Sequence, residues 1–427
     1  MDLMRHTLET SKTFPVWHLR LLFLISDILT GDKEFQTAAF YMSLGIEFCA
    51  QNRVPTYTHI LFILSKGLIH LLQRNPNDLQ VTMQPCAALI EGYQTSNVYQ
   101  TESLKVFFLV LQVTYFLQCG QMKSVRNTLK SLQHYIQSLT SRPDTENELL
   151  STNALENFHW MSKDHLGILV YLLTIVHSMQ TGCLDKAQKF CEKALLNLQK
   201  VRLKEQTLGL NNPAVGSAYV TNSLNLSLLE NLARCCIAMG NRSAGLKHIH
   251  NAFQICESNT RLFATHIAQF HCLLGCYALS VNCRDAAIAQ FNQALQSTQD
   301  SELWLYCAMN LALCYLASLN STPANKGQLM SILENVQPEK IQTQSTALTA
   351  CSHYFKALKF YLAGNYIQAQ ESLREAILLS NAEELSNISS NSLIFMGHLH
   401  FLSNQFQESF NTVSYTHLRA HETIALI

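Results

Sequence analysis

The feature that most constrains this chain is a register that repeats around a turn residue. Counted from Gly364, Ala357 and Phe360 stand before the turn, and Tyr366, Ala369, Leu373 and Ala376 stand after it. The same register returns at Asn282 with Gly275, Ala287, Phe291 and Ala294, at Gly182 with Ala187 and Ala194, and at Gly240 with Gly245 and Ala252. At Asn404 the small residues are Gly397 and Ser409. Weaker copies surround Lys33, with Ala38 and Gly45, and Arg74, with Gly67 and Cys86. Around Gly120 the bulkier Val113, Val125 and Leu132 fill the small places, and one more turn is expected near Leu319. Small residues on both sides of a turn let two helices approach closely, and the turn residue itself accepts a left-handed backbone. Many such pairs in series predict a stack in which each hairpin buries its neighbour's face.

This pattern resembles the tetratricopeptide (TPR) repeat. The fold class it predicts is an all-α, TPR-like solenoid of helical hairpins, wound as a right-handed superhelix over residues 1–413. Successive turns stand farther apart than the about 34 residues of the standard unit, so the helices are longer or the connections extended. The widest gaps coincide with residues 141–157 and 203–216, which carry Pro143 and Pro213 and are expected to be insert loops. Residues 414–427, SYTHLRAHETIALI, break the register. They resemble a translated sequencing adapter and are expected to stand outside the repeat fold. Only 15 Gly and 8 Pro accompany 48% hydrophobic residues, too few turn-formers for a many-stranded sandwich or barrel.

Lys+Arg and Asp+Glu balance at 30 each, so no net field draws the chain onto nucleic acid or anionic lipid. Fourteen Cys without framework spacing predict reduced thiols in an intracellular compartment. The longest apolar runs, such as residues 106–113, stop short of the roughly 20 residues that span a bilayer, so no membrane is expected.

In such an array the first helix of each hairpin faces the concave side. Its positions about 13, 10, 6 and 3 residues before the turn point inward. Here those places are apolar: Leu61, Leu64, Leu68 and Leu71 in one repeat, Phe107, Val110, Thr114 and Leu117 in another, Leu169, Leu172, Val176 and Met179 in a third, with Gln180 adjoining. A lumen lined this way would leave a large apolar patch in water unless the superhelix closes on itself or an extended partner fills it. The alternative is that longer helices shift the register and put these residues in the ordinary inter-helix core. On the lumen reading, a glutamate at Leu172 or Val110 abolishes partner binding in a chain that still folds.

Constellations for chemistry are weak. Cys272 and Cys276 share a helical face, but zinc needs two further ligands at matching spacing, so they are expected to be small core residues and no metal is expected. His248/His250 and His398/His400 are two apart and point to different faces. Lys186, Lys189, Lys193, Lys200 and Lys204 form a stripe interrupted by Glu192 and Glu205, which reads as a solvated outer face. No phosphate loop, nucleophile elbow or His-Glu-x-x-His stretch occurs, so no catalytic residue, cofactor or small-molecule substrate is expected. A co-chaperone-type adaptor that takes short acidic peptides is the second functional reading; it would need a Lys/Arg/Asn clamp where the apolar stripe stands. A repeat-fused enzyme would need a non-repeat domain of about 100 residues, and none is left over.

Several stretches are more specific than a generic repeat. SMQTGCLDKAQK at residues 178–189, SVNCRDA at 280–286, FPVWHLRLLF at 14–23 and LFILSKG at 61–67 resemble the TPR subunit of the cohesin loader, the MAU-type chromatid cohesion factor family. The resemblance runs from about Met4 to Val413 and implies further helices at both ends. It implies a nuclear, chromatin-associated scaffold without catalysis. Its superhelix would wrap the extended N-terminal segment of the HEAT-repeat loader, the Nipped-B-like adherin, and reach cohesin and chromatin indirectly.

Overall fold

The computed structural model describes residues 2–52, 54–93, 98–141, 160–207, 215–257, 259–317 and 323–425. Among these residues every regular element is a helix. The order opens with α1 (Asp2–Thr10), a 3-10 turn (Ser11–Thr13), α2 (Pro15–Gly31), α3 (Phe35–Gln51), α4 (Thr56–Leu72) and α5 (Pro76–Gly92). It continues with α6 (Val98–Cys119), α7 (Met122–Ser141), α8 (Lys163–Gln180), α9 (Leu184–Thr207), α10 (Val215–Ala238) and α11 (Arg242–Glu257). Then come α12 (Thr260–Ser280), α13 (Arg284–Ser297), α14 (Ser301–Leu316), α15 (Pro323–Asn335), α16 (Thr346–Leu362), α17 (Tyr366–Ala382), α18 (Ser386–Leu402) and α19 (Phe406–Ala425).

The turns are the most regular part of the molecule. Gly120, Gly182, Gly240 and Gly364 have φ of 73°, 83°, 79° and 78°, and Lys33, Arg74, Asn282 and Asn404 adopt 64°, 57°, 61° and 59° without being glycine. A left-handed backbone costs a non-glycine residue about 1–2 kcal/mol, so the surrounding hydrogen bonds must hold it there. At every one of the eight, the turn residue's N–H reaches back three residues and the next N–H reaches back five, as in Gly120 to Leu117 and Gln121 to Phe116, or Asn404 to Phe401 and Gln405 to His400. This is the Schellman closure, which satisfies carbonyls that a helix end otherwise leaves open. All eight turns stand at the positions that the repeat register picks out; the ninth, near Leu319, lies outside the described residues.

Small residues then set the spacing within a hairpin. A Cβ on Gly275 of α12 would come 2.7 Å from the Phe291 ring of α13, so only glycine lets that ring in. Ala287 and Ala294 on the same face of α13 are fully buried, as are Ala357, Ala369 and Ala376 in the hairpin of α16 and α17.

Some expectations change. Helix α9 runs to Thr207, so residues 203–207 are helical and not loop: Val201 is buried and the apolar side of the helix continues to it. Residues 142–157 and 208–214 of the expected inserts lie outside the described residues. Helix α19 stays helical past Ser414 to Ala425. Helix α12 is apolar and long enough to cross a bilayer by length and composition alone. Its Phe270 and Leu273 are nevertheless buried in clusters with residues of α10 and α11, so that apolarity serves packing. All fourteen cysteines are free thiols.

The helices fall into two compact units, Met1–Tyr115 with Arg126–Val170, and Phe116–Val125 with Tyr171–Ile427. The first has cores at Leu19, Leu22, Ile25, Met42 and Phe62 and, next along, at Tyr57, Leu61, Leu64, Leu104, Phe107 and Leu111. In the second, α10 touches α12, α12 touches α14, α14 touches α16 and α16 touches α18, besides the neighbours in sequence. These even-numbered helices therefore form the tighter, inner layer of that unit. The unit also curls back on itself. Thr346 Oγ1 donates to Cys119 O at 3.0 Å, and Ser386 Oγ donates to Thr181 O at 3.1 Å. The turn at Gly120 thus meets the start of α16, and the turn at Gly182 meets the start of α18.

Candidate functional site

The expected inner stripe divides on inspection. Leu61, Leu64 and Phe107 come together in one buried cluster of α4, α5 and α6, and Leu71 joins them. Val110 and Leu117 are buried as well. These six stripe residues, Leu61, Leu64, Leu71, Phe107, Val110 and Leu117, are therefore core and offer no free surface in this chain. The physical reason is that α4 is enclosed on all sides: five consecutive residues, Ile60 to Leu64, are buried, which no helix facing water on one side can achieve. Leu68 is the exception at 38% exposed. Thr114 is half-buried and donates its hydroxyl to Val110 O at 2.8 Å.

Part of the cover over Phe107 comes from a residue the repeat register does not mark. Trp160 stacks on the Phe107 ring with centroids 4.2 Å apart and planes 10° apart. Its indole Nε1 is buried without a hydrogen-bond partner among the described residues.

The third set behaves differently. Leu169, Leu172, Val176, Met179 and Gln180 on α8 are all half-buried and so keep some surface. Gln180 Nε2 donates to Leu117 O at 3.3 Å, and Met179 Sδ abuts the Cys235 thiol of α10.

Counting the same offsets back from the later turns finds residues that an apolar stripe would not include. From Gly240 they are Ser227, Glu230, Arg234 and Ile237; from Asn282, Gln269, Cys272, Cys276 and Leu279; from Leu319, Tyr306, Met309, Leu313 and Leu316; from Gly364, Cys351, Tyr354, Leu358 and Tyr361. The signal was present in the sequence at the same spacing. Only the early repeats are uniformly apolar there.

These side chains form a cluster across α10, α12 and α14 within the second unit. Glu230 accepts from, or pairs with, His266 Nδ1 at 2.9 Å. Cys276 Sγ lies 3.8 Å from the Tyr306 hydroxyl, and Tyr306 is 43% exposed. Arg234 is half-buried and makes no hydrogen bond or ion pair with any described residue. Burial works against its charge, but Glu230 and then Cys272 and Tyr306 outweigh it and hold the guanidinium above its ordinary pKa. The Cys276 thiol is pushed well up by its hydrogen bond with Cys272 and by burial. Tyr306 is pushed well up by Cys276 first and by burial second. The cluster thus holds Glu230 bonded to His266, the Arg234 guanidinium with no hydrogen bond or ion pair to a described residue, and a thiol and a phenol that stay protonated beside it.

Farther along, an aromatic group spans α16 and α18. Tyr354 and Tyr361 both approach Phe395, at 5.5 Å and 5.6 Å between centroids, and Tyr361 also approaches His398. Cys272 is buried and Cys276 half-buried, and among the described residues no group of three or more His, Cys, Asp or Glu side chains could hold a metal ion. Of the lysine stripe on α9, Lys186, Lys189, Lys193, Lys200 and Lys204 are exposed.

The chain is 34% identical to the MAU2 chromatid cohesion factor homolog of Drosophila willistoni over 418 residues, covering 96% of this chain and 60% of that protein. It is 34% identical to the homolog of Aedes aegypti over 416 residues, covering 96% of this chain and 64% of the relative. The chain thus spans a little under two thirds of the length of the curated relatives it matches. Among solved structures it is similar to the apo form of RapI, at 12% identity and a TM-score of 0.44, over 84% of this chain and 87% of that one. The family model described as cohesin loading factor matches residues 3–422, and the chain belongs to that family.

Proposed function

We propose that this chain is a non-catalytic scaffold subunit of the cohesin-loading machinery. Its inner helices hold the extended N-terminal segment of the Nipped-B-like loader. Together the two proteins support loading of cohesin onto chromatin, and hence sister chromatid cohesion, in the nucleus. The observation that carries this reading is the family match across residues 3–422. Its physical support is the half-buried row Leu169, Leu172, Val176 and Met179 on α8, which keeps apolar surface in contact with water in the free chain. Covering such surface stabilises a complex by roughly 25 cal/mol per Å².

The test is co-purification of this chain with the N-terminal region of the Nipped-B-like protein. The wild-type chain is expected to retain it, and Leu172→Glu to lose at least about tenfold in affinity, about 1.4 kcal/mol, with an unchanged far-UV circular dichroism spectrum. Wild-type binding by Leu172→Glu would remove α8 from the interface. Val110→Glu is not a substitute for this variant, because Val110 is buried and the substitution reports on folding.

A further inference from the structure

We infer that Arg234, with the Tyr306 hydroxyl beside it, is the receptor for an aspartate or glutamate side chain of the extended partner segment. The inference rests on the partner reading above and adds the chemistry that fixes the segment's register.

A half-buried guanidinium has lost part of its hydration and regains favourable contacts only from an acceptor. Arg234 finds none among the described residues. The one carboxylate near it, Glu230, is already committed to His266 at 2.9 Å. Beside it stand the Tyr306 hydroxyl, 43% exposed, and the Cys276 thiol, 3.8 Å from that hydroxyl, each with a hydrogen it can donate. A planar fork of N–H groups flanked by a phenol O–H matches the two oxygens of a carboxylate. Three successive inner helices contribute the groups, Arg234 from α10, Cys276 from α12 and Tyr306 from α14. Helix axes packed about 8–10 Å apart and a rise of about 3.3 Å per residue mean that roughly six residues of extended chain cross all three.

The neighbouring Glu230 also decides between anions. Its negative charge repels a phosphate dianion more than it repels a singly charged carboxylate. An acidic side chain is therefore the better fit, and a phosphorylated one is the competing outcome.

The experiment uses fluorescence anisotropy with the whole chain and labelled peptides tiling the N-terminal region of the Nipped-B-like protein. Each Asp and Glu is replaced in turn by Asn or Gln. One acidic position is expected at which neutralisation weakens binding by on the order of 10- to 100-fold to the wild-type chain, and by less than about twofold to Arg234→Gln. Arg234→Lys keeps the charge without the fork and is expected to fall between, while Tyr306→Phe removes a single donor and weakens binding several-fold. Circular dichroism checks that each variant is folded, and if Arg234→Gln is not, Arg234→Lys and Tyr306→Phe carry the test. Wild-type affinity in the folded arginine variants, with binding lost in Leu172→Glu, overturns the receptor and leaves the partner reading standing. Absence of binding by the wild-type chain overturns both. Tighter binding of phosphoserine than of glutamate at the coupled position overturns the carboxylate assignment.

Discussion

Leu61 on α4 and Tyr306 on α14 occupy the same place in the hairpin, thirteen residues before Arg74 and Leu319 respectively, yet Leu61 is 3% exposed and Tyr306 43%. The contrast extends along the helices. Of the eight stripe positions on α4 and α6, all but Leu117 in the first unit, only Leu68 and Thr114 keep surface. In the second unit, Arg234, Ile237, Cys276, Leu313, Cys351, Tyr354 and Tyr361 all keep some. A helix position faces a groove only if nothing else in the chain covers it. On α4 the neighbours enclose the helix, and on α6 Trp160 lies over Phe107. The lesson is that the repeat register assigns a direction, and the number of neighbours assigns a role. The first unit uses most of its inner positions for stability, whereas the second leaves most of them in contact with water.

The sharpest way to break this comparison is to place the same charge at the same register in both units. Leu61→Glu is expected to destabilise the chain by on the order of 4 kcal/mol or more, since it buries a carboxylate without a partner, and to lower soluble yield. Tyr306→Glu is expected to stay within about 1 kcal/mol of wild type in urea unfolding, because its side chain reaches water and a cation, Arg234. A folded Leu61→Glu chain that loses only partner binding would return the first stripe to the lumen.

A smaller effect tests the cover over Phe107. Trp160→Ala is expected to cost about 2–3 kcal/mol through lost stacking and burial. It should also remove the tryptophan emission least accessible to acrylamide, because Trp160 is half-buried while Trp17 and Trp304 are 65% and 36% exposed. Unchanged stability would mean that the stack does not hold the first unit's core.

The smallest effect is with pH. Burial, with Lys12 secondary, lowers the pKa of His18, which is hydrogen-bonded to Ser11 in the first unit; burial likewise lowers His59, and His70 with help from Lys66. A folded pKa below the unfolded value near 6.5 means that the unfolded chain binds more protons in that window. Stability from these histidines is complete above about pH 6.5 and is lost as pH falls from there through the lowered folded pKa values. Hydrogen exchange at pH 5.5 against pH 7.5 is expected to show α2 and α4 opening more easily at the lower pH. The response of α2 should shrink in His18→Asn.

The hairpins were legible in the amino-acid sequence because their causes are local. A left-handed residue, a Schellman closure and a small residue across from a ring need only about ten neighbouring positions. Eight turns, from Lys33 to Asn404, stand where the spacing placed them. The resemblance carried by SMQTGCLDKAQK and SVNCRDA was legible in the same way, since short exact stretches do not depend on packing. The candidate site is legible only in part: the offsets mark positions on the first helix of each hairpin, but uniform apolarity singles out early repeats whose positions are mostly buried. Arg234 stands at the same offset from Gly240, in a repeat where the pattern is mixed.

Tertiary structure alone decided which of those positions meet water. Leu61 and Leu172 are both leucines at inner offsets, ten or thirteen residues before their turns, and nothing within their own helices separates them. Residues distant along the chain do: Trp160 covers Phe107, and the turns at Gly120 and Gly182 meet the starts of α16 and α18. Contacts between residues more than 200 apart, such as Cys119 with Thr346, follow from small rotations accumulated over many hairpins, and no local pattern encodes that sum.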